Sequence, residues 1–286
     1  MPDATQLGEA TSMRIEPLTA AIGAELSGIN LGELDPETGE ELRAALLEYK
    51  VVGIRNQFLD DAGHVRLAES LGEPWIHPMD RLAGVDSAEP SELRVKSDHQ
   101  LLTDRWHLDV LYAPNPPAFG ILRAIDVPPV GGDTMWANLV LAASWLPDDL
   151  RGQLQGRFTV HSVPDTLVNL KQTLFPDFDP QIWRDNLQGV RQPLLRRHPE
   201  TGEEAVFCVG DASVDGLDDD ASRSLMAAVT EHATNPSVTC RWRWRNGDVV
   251  IWDERCTAHF AVRDPWEGDR VLRRLLVEGD CPVVAT

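Results

Sequence analysis

Cysteine is scarce in this sequence and is not spaced for a disulfide framework. The 286 residues include four cysteines, without any CxxC spacing: Cys208, Cys240, Cys256 and Cys281. So sparse a set excludes a disulfide-rich secreted fold. We therefore expect reduced thiols, as in a cytosolic protein.

Long apolar runs are also missing. No stretch reaches the length of a membrane span, and the first residues, Met-Pro-Asp-Ala-Thr, lack the basic and apolar regions of a signal peptide. No composition shift or Ser/Gly-rich linker divides the chain. The sequence therefore predicts a cytoplasmic protein without membrane contact, with a single domain over residues 1–286 and a core from about residue 13 to residue 282.

Positive charge is scarce, and arginine carries most of it. The formal net charge is −20 at pH 7, and lysine occurs only at Lys50, Lys96 and Lys171. Such a surface repels nucleic acid and anionic membranes, so neither is expected as a partner. A local site for a small anion remains compatible with this charge, because arginine binds carboxylates through two parallel hydrogen bonds.

A glycine-rich phosphate-binding fingerprint after a strand is absent as well. Many strands occur with helices inserted between them, but not in the regular alternation of a dinucleotide-binding α/β domain. This pattern favours a mostly β, antiparallel architecture with flanking helices.

Helices are indicated where capping residues precede apolar stripes. Asp35 and Pro36 supply an N-cap and a first-turn proline for a helix that runs to Lys50. Further helices are expected at about residues 62–71 and 218–233.

Two strand pairs are expected from alternating apolar residues. Residues 192–198 and 203–209 flank a turn with proline and glycine, and residues 238–244 and 248–252 flank an Asn-Gly dipeptide typical of a tight hairpin. In the second pair tryptophan alternates with arginine. This alternation predicts one buried aromatic face and one solvated basic face, instead of a nucleic-acid-binding stripe.

Three residues have the chemistry of a mononuclear iron site. His107 and Asp109 are two positions apart, so in an extended segment their side chains project to the same side while Leu108 points away. His259 follows a strand-like run far downstream, where a neighbouring strand can bring it to the same ion. Two imidazoles and one carboxylate on one face of Fe(II) leave the other positions open for a cosubstrate and oxygen.

The residues around these three form two blocks that resemble a known family. The first block consists of residues 106–109, Pro116, Pro117, and residues 122–124 and 127–134. The second consists of residues 247–253, Arg255, His259, Arg270 and Arg274, with a His-x10-Arg-x3-Arg spacing. Together they are similar to the taurine dioxygenase (TauD/TfdA) family of Fe(II)- and 2-oxoglutarate-dependent dioxygenases, over nearly the whole chain.

The resemblance implies a fold, a cosubstrate and a reaction. The fold would be a distorted jelly roll, a cupin-like double-stranded β-helix, with the site inside one end. Fe(II) on His107, Asp109 and His259 would also bind 2-oxoglutarate. Arg274, with Thr134 beside it, is the candidate for the far carboxylate, and Arg270 belongs to the same motif. Family members use oxygen, release succinate and carbon dioxide, and oxidise a substrate C–H bond, usually by hydroxylation.

The resemblance says less about the substrate and the assembly state. His77 resembles a family position that contacts the acidic group of the substrate, and Thr103, Tyr112 and Phe207 are further candidates for the pocket. Glu254 replaces the asparagine that usually follows Trp-Asp in the family, which argues against taurine itself. We expect a small, anionic organic substrate, and the family also carries the expectation of a homo-oligomer.

Two other classes of protein remain compatible with the residues alone. A jelly-roll binding protein could keep the metal ligands without redox chemistry, although it would have no need of a 2-oxoglutarate site. A zinc hydrolase or lyase would work without oxygen or 2-oxoglutarate, but no general base is evident for it.

Overall fold

β-Strands form the centre of the fold in the computed structural model, which describes residues 13–96 and 103–285. In chain order they are β1 Arg14–Pro17, β2 Ala24–Ser27, β3 Val51–Ile54, β4 Ser91–Lys96, β5 Phe119–Asp126, β6 Thr134–Asn138, β7 Phe158–His161, β8 Val190–Pro193, β9 Leu195–Arg197, β10 Glu204–Val206, β11 Ser213–Val214, β12 Thr239–Trp242, β13 Val249–Asp253, β14 Thr257–Ala261, β15 Asp269–Val277 and β16 Val283–Val284.

Helices pack around these strands. They are α1 Pro36–Tyr49, α2 Asp61–Leu71, α3 Pro78–Leu82, α4 Leu139–Ser144, α5 Asp148–Leu154, α6 Asp165–Leu174, α7 Pro180–Asn186 and α8 Asp219–Ala233, with short 3-10 helices at Leu31–Glu33 and Pro236–Val238. The predicted antiparallel β architecture with inserted helices is confirmed.

The central strands of the largest sheet are buried on both faces. Its strand order is β1-β2-β3-β13-β5-β15-β4, and all neighbours are antiparallel except β2 and β3. Along β13, Val249 and Ile251 pack with α1 and α2, whereas Val250 and Trp252 belong to an aromatic core shared with the smaller sheet β12-β6-β14. Burial on both faces explains why the sequence of β13 is apolar throughout instead of alternating.

The capped helices form as predicted. The Asp35 side chain accepts a hydrogen bond from Thr38 N at 2.8 Å at the start of α1, and Asp218 accepts one from Ala221 N at 2.8 Å at the start of α8. The helix expected at about residues 62–71 is α2. These signals are local in the sequence, so no distant contact has to be known to interpret them.

The first predicted strand pair forms only in part. β9 pairs with β10 across the turn at residues 199–202. The residues before Leu194 belong instead to β8, which pairs with β7 in the separate sheet β11-β7-β8. One continuous segment of the chain therefore serves two sheets.

The predicted hairpin of residues 238–252 is wrong. β12 pairs with β6, and β13 pairs with β3 and β5, so the two segments lie in different sheets. Asp248 holds the connection: its Oδ2 accepts hydrogen bonds from Arg245 N at 2.7 Å and from Trp242 Nε1 at 3.1 Å. The Asn-Gly turn thus carries the chain across the space between two sheets.

The alternation within this segment is confirmed. Trp242 and Trp244 are each 2% exposed, whereas Arg241 and Arg243 are exposed. The Trp242 ring lies against Gly53 of β3, where an added Cβ would come within 2.3 Å of the ring. Gly53 therefore allows the two sheets to approach closely.

The remaining compositional expectations concern cysteines and membrane spans. All four cysteines are free, and three of them are buried. Within the described ranges, no helix combines the length and the apolar character that crossing a membrane requires.

Candidate active site

His107, Asp109 and His259 meet at the β14 edge of the sheet β12-β6-β14. His107 N donates to His259 O at 3.1 Å, and His259 N donates to His107 O at 2.9 Å, so the two residues face each other as an antiparallel bridge. Asp109 Oδ1 lies 3.8 Å from His107 Nε2 and 3.9 Å from His259 Nε2. One ligand atom from each residue lies within 4.8 Å of the others, a spacing suited to a single ion.

The local chain conformation accounts for this arrangement. Leu108 is 7% exposed and packs into a hydrophobic core, so its two neighbours project together in the opposite direction, as the spacing predicted. After Asp109 the backbone turns sharply at Val110, whose φ of 54° is rare for a β-branched residue. The centroid of the Trp252 ring, on β13, lies 5.3 Å from that of the His259 ring, on β14, and this packing restricts the orientation of the imidazole.

The protonation states of the three side chains suit a divalent metal. Burial lowers the pKa of His107, and burial together with His107 lowers the pKa of His259 to about 3. Burial opposes ionisation of Asp109, but Arg274 and the two imidazoles outweigh it and lower its pKa to about 2. At neutral pH the site therefore offers two neutral imidazoles and one carboxylate, the donor set of non-haem iron sites.

The hydrogen bonds of the His107 imidazole are consistent with metal binding through its Nε2. His107 Nδ1 lies 2.8 Å from Arg105 O, which fixes a proton on Nδ1 and leaves Nε2 unprotonated. His107 Nε2 is buried and has no hydrogen-bond partner among the described residues. A buried acceptor without a partner is costly unless a ligand occupies the position, so these residues fit a metal ion.

Thr134 and Arg270 form a second polar group inside the fold. Arg270 is 5% exposed; its NH2 donates to Thr134 Oγ1 at 3.2 Å and its Nε donates to Gly132 O at 2.7 Å. Trp244 Nε1 also donates to Thr134 Oγ1, at 2.9 Å. Burial lowers the pKa of Arg270 to about 10, which still leaves it charged at neutral pH.

Arg270 is a buried cation that forms no ion pair with any described residue. The nearby Asp133 is paired with Arg241, from Oδ2 to Nε at 2.7 Å. Burying an unpaired guanidinium costs several kcal/mol, so an anionic ligand at this position would offset a large penalty. The geometry therefore fits a carboxylate from outside the chain.

The predicted juxtaposition of Thr134 with Arg274 is wrong. Arg274 NH1 instead contacts Asp109 Oδ2 at 2.7 Å, beside the metal-ligand group. Arg270 and Arg274 share the inner face of β15, but four residues of a strand span about 13 Å. One arginine therefore lies at the far end of the site, and the other lies next to the proposed metal position.

His77 and Tyr112 form a hydrogen-bonded pair near Arg274. His77 Nδ1 accepts from Met79 N at 3.2 Å at the start of α3, and His77 Nε2 lies 2.9 Å from Tyr112 Oη. Burial, with Lys171 and Arg274 nearby, lowers the pKa of His77 to about 3, so this imidazole is neutral. Its Nε2–H donates to Tyr112, which leaves the Tyr112 hydroxyl hydrogen free for a ligand.

Thr103 and Phe207 have different surroundings. Thr103 is exposed beside the end of β14, where its carbonyl accepts from Ala261 N at 3.0 Å. Phe207 is 1% exposed in a hydrophobic core, with the Arg196 guanidinium 4.4 Å from its ring centroid. These are the contacts of a core side chain. They do not support the predicted role of Phe207 in the substrate pocket.

Helices α6 and α7 pack over the His77–Tyr112 pair. Tyr112 shares a hydrophobic cluster with Val168 and Trp183 from these helices. Trp183 Nε1 donates to Met79 O at 2.7 Å, and Lys171 Nζ contacts Asp80 Oδ2 at 2.6 Å. The two helices therefore form a wall next to the pair and are attached to α3.

Two features of the candidate site were missed from the sequence. The hydrogen bond from Trp244 to Thr134 joins β6 to the segment after β12, and only the correct pairing of these strands would have indicated it. Glu254 was noted only as a departure from the family pattern. It is 2% exposed, and burial and Asp109 raise its pKa well above the usual value.

A second group of metal-ligand residue types, His198, Asp253 and Cys256, does not fit a metal. Asp253 Oδ2 accepts from His198 Nε2 at 3.0 Å and from Arg255 NH2 at 2.6 Å, while Oδ1 accepts from Arg255 Nε at 2.8 Å. His198 Nδ1 accepts from Thr201 N at 3.1 Å. Both carboxylate oxygens of Asp253 and both ring nitrogens of His198 are therefore engaged in hydrogen bonds, so the group is a structural network.

A candidate three-residue metal site, with an unpaired buried arginine farther along β15, is the arrangement expected of a non-haem iron enzyme that binds a 2-oxo acid. The chain belongs to the taurine catabolism dioxygenase TauD, TfdA family, whose model matches residues 14–276. The predicted Fe(II)- and 2-oxoglutarate-dependent dioxygenase is thereby confirmed.

Comparison with known proteins identifies relatives with anionic substrates. The chain is 34% identical to the α-ketoglutarate-dependent sulfate ester dioxygenase of Pseudomonas putida, over 96% of this chain and 92% of that protein. It is 29% identical to the (S)-phenoxypropionate/α-ketoglutarate dioxygenase of Sphingobium herbicidovorans, over 93% and 95%. A crystal structure of a taurine dioxygenase from Burkholderia xenovorans, 36% identical, superposes with a TM-score of 0.76 and covers 96% of this chain and 93% of that one.

Proposed function

We propose that this dioxygenase oxidises a C–H bond of a small organic anion, and that His107, Asp109 and His259 hold the Fe(II). The observation that carries the proposal is the combination of this compact donor set with the unpaired buried cation Arg270. When bound, Fe(II) and 2-oxoglutarate supply the oxidation: oxygen converts 2-oxoglutarate to succinate and carbon dioxide, and the substrate gains a hydroxyl group.

Thr134 and Arg270 would bind the far carboxylate of 2-oxoglutarate. Arg270 offers charged donors in a dry environment, and Trp244 Nε1 fixes the Thr134 hydroxyl by donating to its oxygen at 2.9 Å. The Thr134 hydrogen can then point at the carboxylate, because its oxygen already accepts two hydrogen bonds. A charge-assisted pair of this kind is stronger than a neutral hydrogen bond.

Arg274, Tyr112 and His77 would bind the anionic group of the substrate. Arg274 contacts the metal ligand Asp109, so an anion on Arg274 would lie close to the oxidising centre. The neutral His77 keeps the Tyr112 hydroxyl oriented as a donor without adding charge. Because a relative that is 34% identical is named for sulfate esters, we propose alkyl sulfate esters first and aryloxy acids second as the substrate class.

The proposal also covers the fold type, the domain bounds, the cellular location and the assembly state. The two facing sheets would constitute the jelly roll, or double-stranded β-helix, of the family. We propose that the chain is one domain with a core at residues 13–282, although residues 1–12, 97–102 and 286 lie outside the described residues. Reduced thiols support a cytoplasmic location. A homo-oligomer remains an expectation from the family.

An anaerobic optical titration of the Fe(II)-loaded protein with 2-oxoglutarate tests the cosubstrate site. We expect a saturable visible charge-transfer band, with a Kd raised roughly 10- to 100-fold in Arg270→Ala because a charged hydrogen bond is lost. Arg273→Ala is the matched control, since Arg273 faces away and donates to Pro90 O at 3.2 Å.

Each outcome of this titration has a definite meaning. Equal effects of Arg270→Ala and Arg273→Ala would exclude Arg270 from the cosubstrate site. No band despite metal binding would favour a non-redox binding protein or zinc hydrolase. If the band forms, oxygen consumption and succinate release with alkyl sulfates, sulfonates and aryloxy acids identify the substrate class.

A further inference from the structure

Glu254 is a buried acid directly behind the metal-ligand group. It follows β13 in the turn that leads to β14, and its carboxyl group approaches two of the three ligands. Glu254 Oε2 lies 3.5 Å from Asp109 N and 4.0 Å from His259 Nδ1. Its other oxygen, Oε1, is buried without a hydrogen-bond partner among the described residues.

The two ligand histidines differ in what supports them from behind. His107 Nδ1 has the backbone acceptor Arg105 O at 2.8 Å. His259 Nδ1 is buried and has no partner within hydrogen-bond distance among the described residues. Since His259 Nε2 faces Asp109, binding of a metal there puts the imidazole proton on Nδ1. That proton needs an acceptor, and Glu254 is the group it faces.

We propose that Glu254 is a positioning residue of the metal centre, accepting hydrogen bonds from His259 Nδ1–H and from the Asp109 backbone N–H. The proposal rests on the metal-ligand roles given above. It requires a side-chain movement that shortens the 4.0 Å separation by about 1 Å to reach hydrogen-bond distance. Only an oxygen acceptor is needed, so the hydrogen bond does not depend on the charge of the carboxyl group.

The length of Glu254 matters for this role. Asparagine is one methylene shorter, so its side-chain oxygen would lie farther from His259. The backbone of the turn is held independently of the Glu254 side chain: Glu254 N donates to Ala118 O at 2.9 Å, and Thr257 Oγ1 donates to Asp253 O at 2.7 Å. Variants at position 254 are therefore expected to keep the turn.

The test compares Glu254→Gln, which keeps an oxygen acceptor at the same length, with Glu254→Leu, which removes the acceptor at similar volume. Metal affinity is measured anaerobically with Co(II), without 2-oxoglutarate, in competition with a chromophoric chelator. We expect Glu254→Leu to weaken Co(II) binding roughly 10- to 100-fold, in line with other partners of ligand histidines. Glu254→Gln should stay within about threefold of the unsubstituted protein, because its amide oxygen still accepts.

A spectroscopic readout separates positioning from a general structural role. In the Zn(II)-loaded protein, the imidazole N–H proton of His259 should give a slowly exchanging downfield NMR signal in the unsubstituted protein and in Glu254→Gln. In Glu254→Leu the signal should be lost to solvent exchange. Thermal unfolding of the metal-free proteins provides the check on the fold.

The outcomes distinguish this inference from the proposed function. Equal Co(II) affinity in Glu254→Leu and the unsubstituted protein would overturn the role of Glu254, and so would equal losses in the Gln and Leu variants. If the metal assignment itself is wrong, the result is different: His259→Ala will bind Co(II) as tightly as the unsubstituted protein does.

Discussion

Arg270 and Arg274 show that the position of an arginine on a strand decides which side chain it contacts. Both are arginines on the same face of β15, yet Arg270 hydrogen-bonds Thr134 and Arg274 pairs with Asp109. The sequence spacing correctly indicated that they share a face. It could not assign each to a ligand, because that depends on Thr134 and Asp109, which lie on other parts of the chain.

Burial also changes what a single histidine contributes to stability. His64 on α2 is fully buried, and its Nδ1 accepts from Arg123 Nε at 3.2 Å. Burial, with Arg273 nearby, lowers its pKa from 6.5 to about 4. The unfolded chain therefore takes up a proton below pH 6.5 that the folded chain does not bind until about pH 4. The free energy of unfolding should consequently fall as the pH drops through this window.

Replacing His64 tests this pH dependence. His64→Asn keeps an acceptor for Arg123 but does not titrate, so its free energy of unfolding should fall less steeply between pH 6.5 and about pH 4. Urea denaturation of the metal-free proteins at several pH values measures both curves. Parallel curves would show that His64 does not contribute to the acid sensitivity.

At the scale of elements, the starts of helices could be predicted from local sequence signals, whereas the pairing of strands could not. The ends of α1 and α8 were predictable because Asp35 and Asp218 cap their own helices. The partners of β12 and β13 were not, since a tight Asn-Gly turn normally joins two paired strands. Here the chain crosses between sheets after that turn, and the tryptophan side chains of the segment fill the space between them.

The close approach of the two sheets gives a prediction at this scale. In Gly53→Ala the new methyl group would meet the Trp242 ring at 2.3 Å, so the free energy of unfolding should fall by about 1–3 kcal/mol. Gly39→Ala in α1 is the control, since nothing lies within 4 Å of an added Cβ there. That change should raise the free energy by about 0.5–1 kcal/mol. Urea denaturation measures both, and an unaffected Gly53→Ala variant would contradict the tight packing.

At the scale of the whole molecule, metal binding should be coupled to folding. The proposed ligands come from two segments far apart in the sequence, His107 with Asp109 in one and His259 in the other, so the unfolded chain has no comparable site. At a free metal concentration a hundredfold above Kd, binding should stabilise the fold by about 2.7 kcal/mol. Thermal unfolding with and without Fe(II), under anaerobic conditions, measures the effect.

Asp109→Ala is the variant that isolates this coupling. It should abolish both the metal-dependent stabilisation and Fe(II)-dependent turnover, while the metal-free fold stays largely intact. Because the net charge is −20, Mg²⁺ at the same concentration is needed to control for general screening of acidic side chains. A full Fe(II) effect in Asp109→Ala would exclude Asp109 as a ligand.

Helices α6 and α7 lie outside all four sheets, and Lys171 and Trp183 attach them to α3. The candidate metal-binding side chains and the two helices that form a wall next to the His77–Tyr112 pair are therefore encoded in separate stretches of the gene, the helices by residues 165–186. Mutations in residues 165–186 can accumulate without disturbing His107, Asp109 or His259. In a lineage descending from this chain, acceptance of a new substrate would arise first in that stretch, while the oxidative chemistry was inherited unchanged.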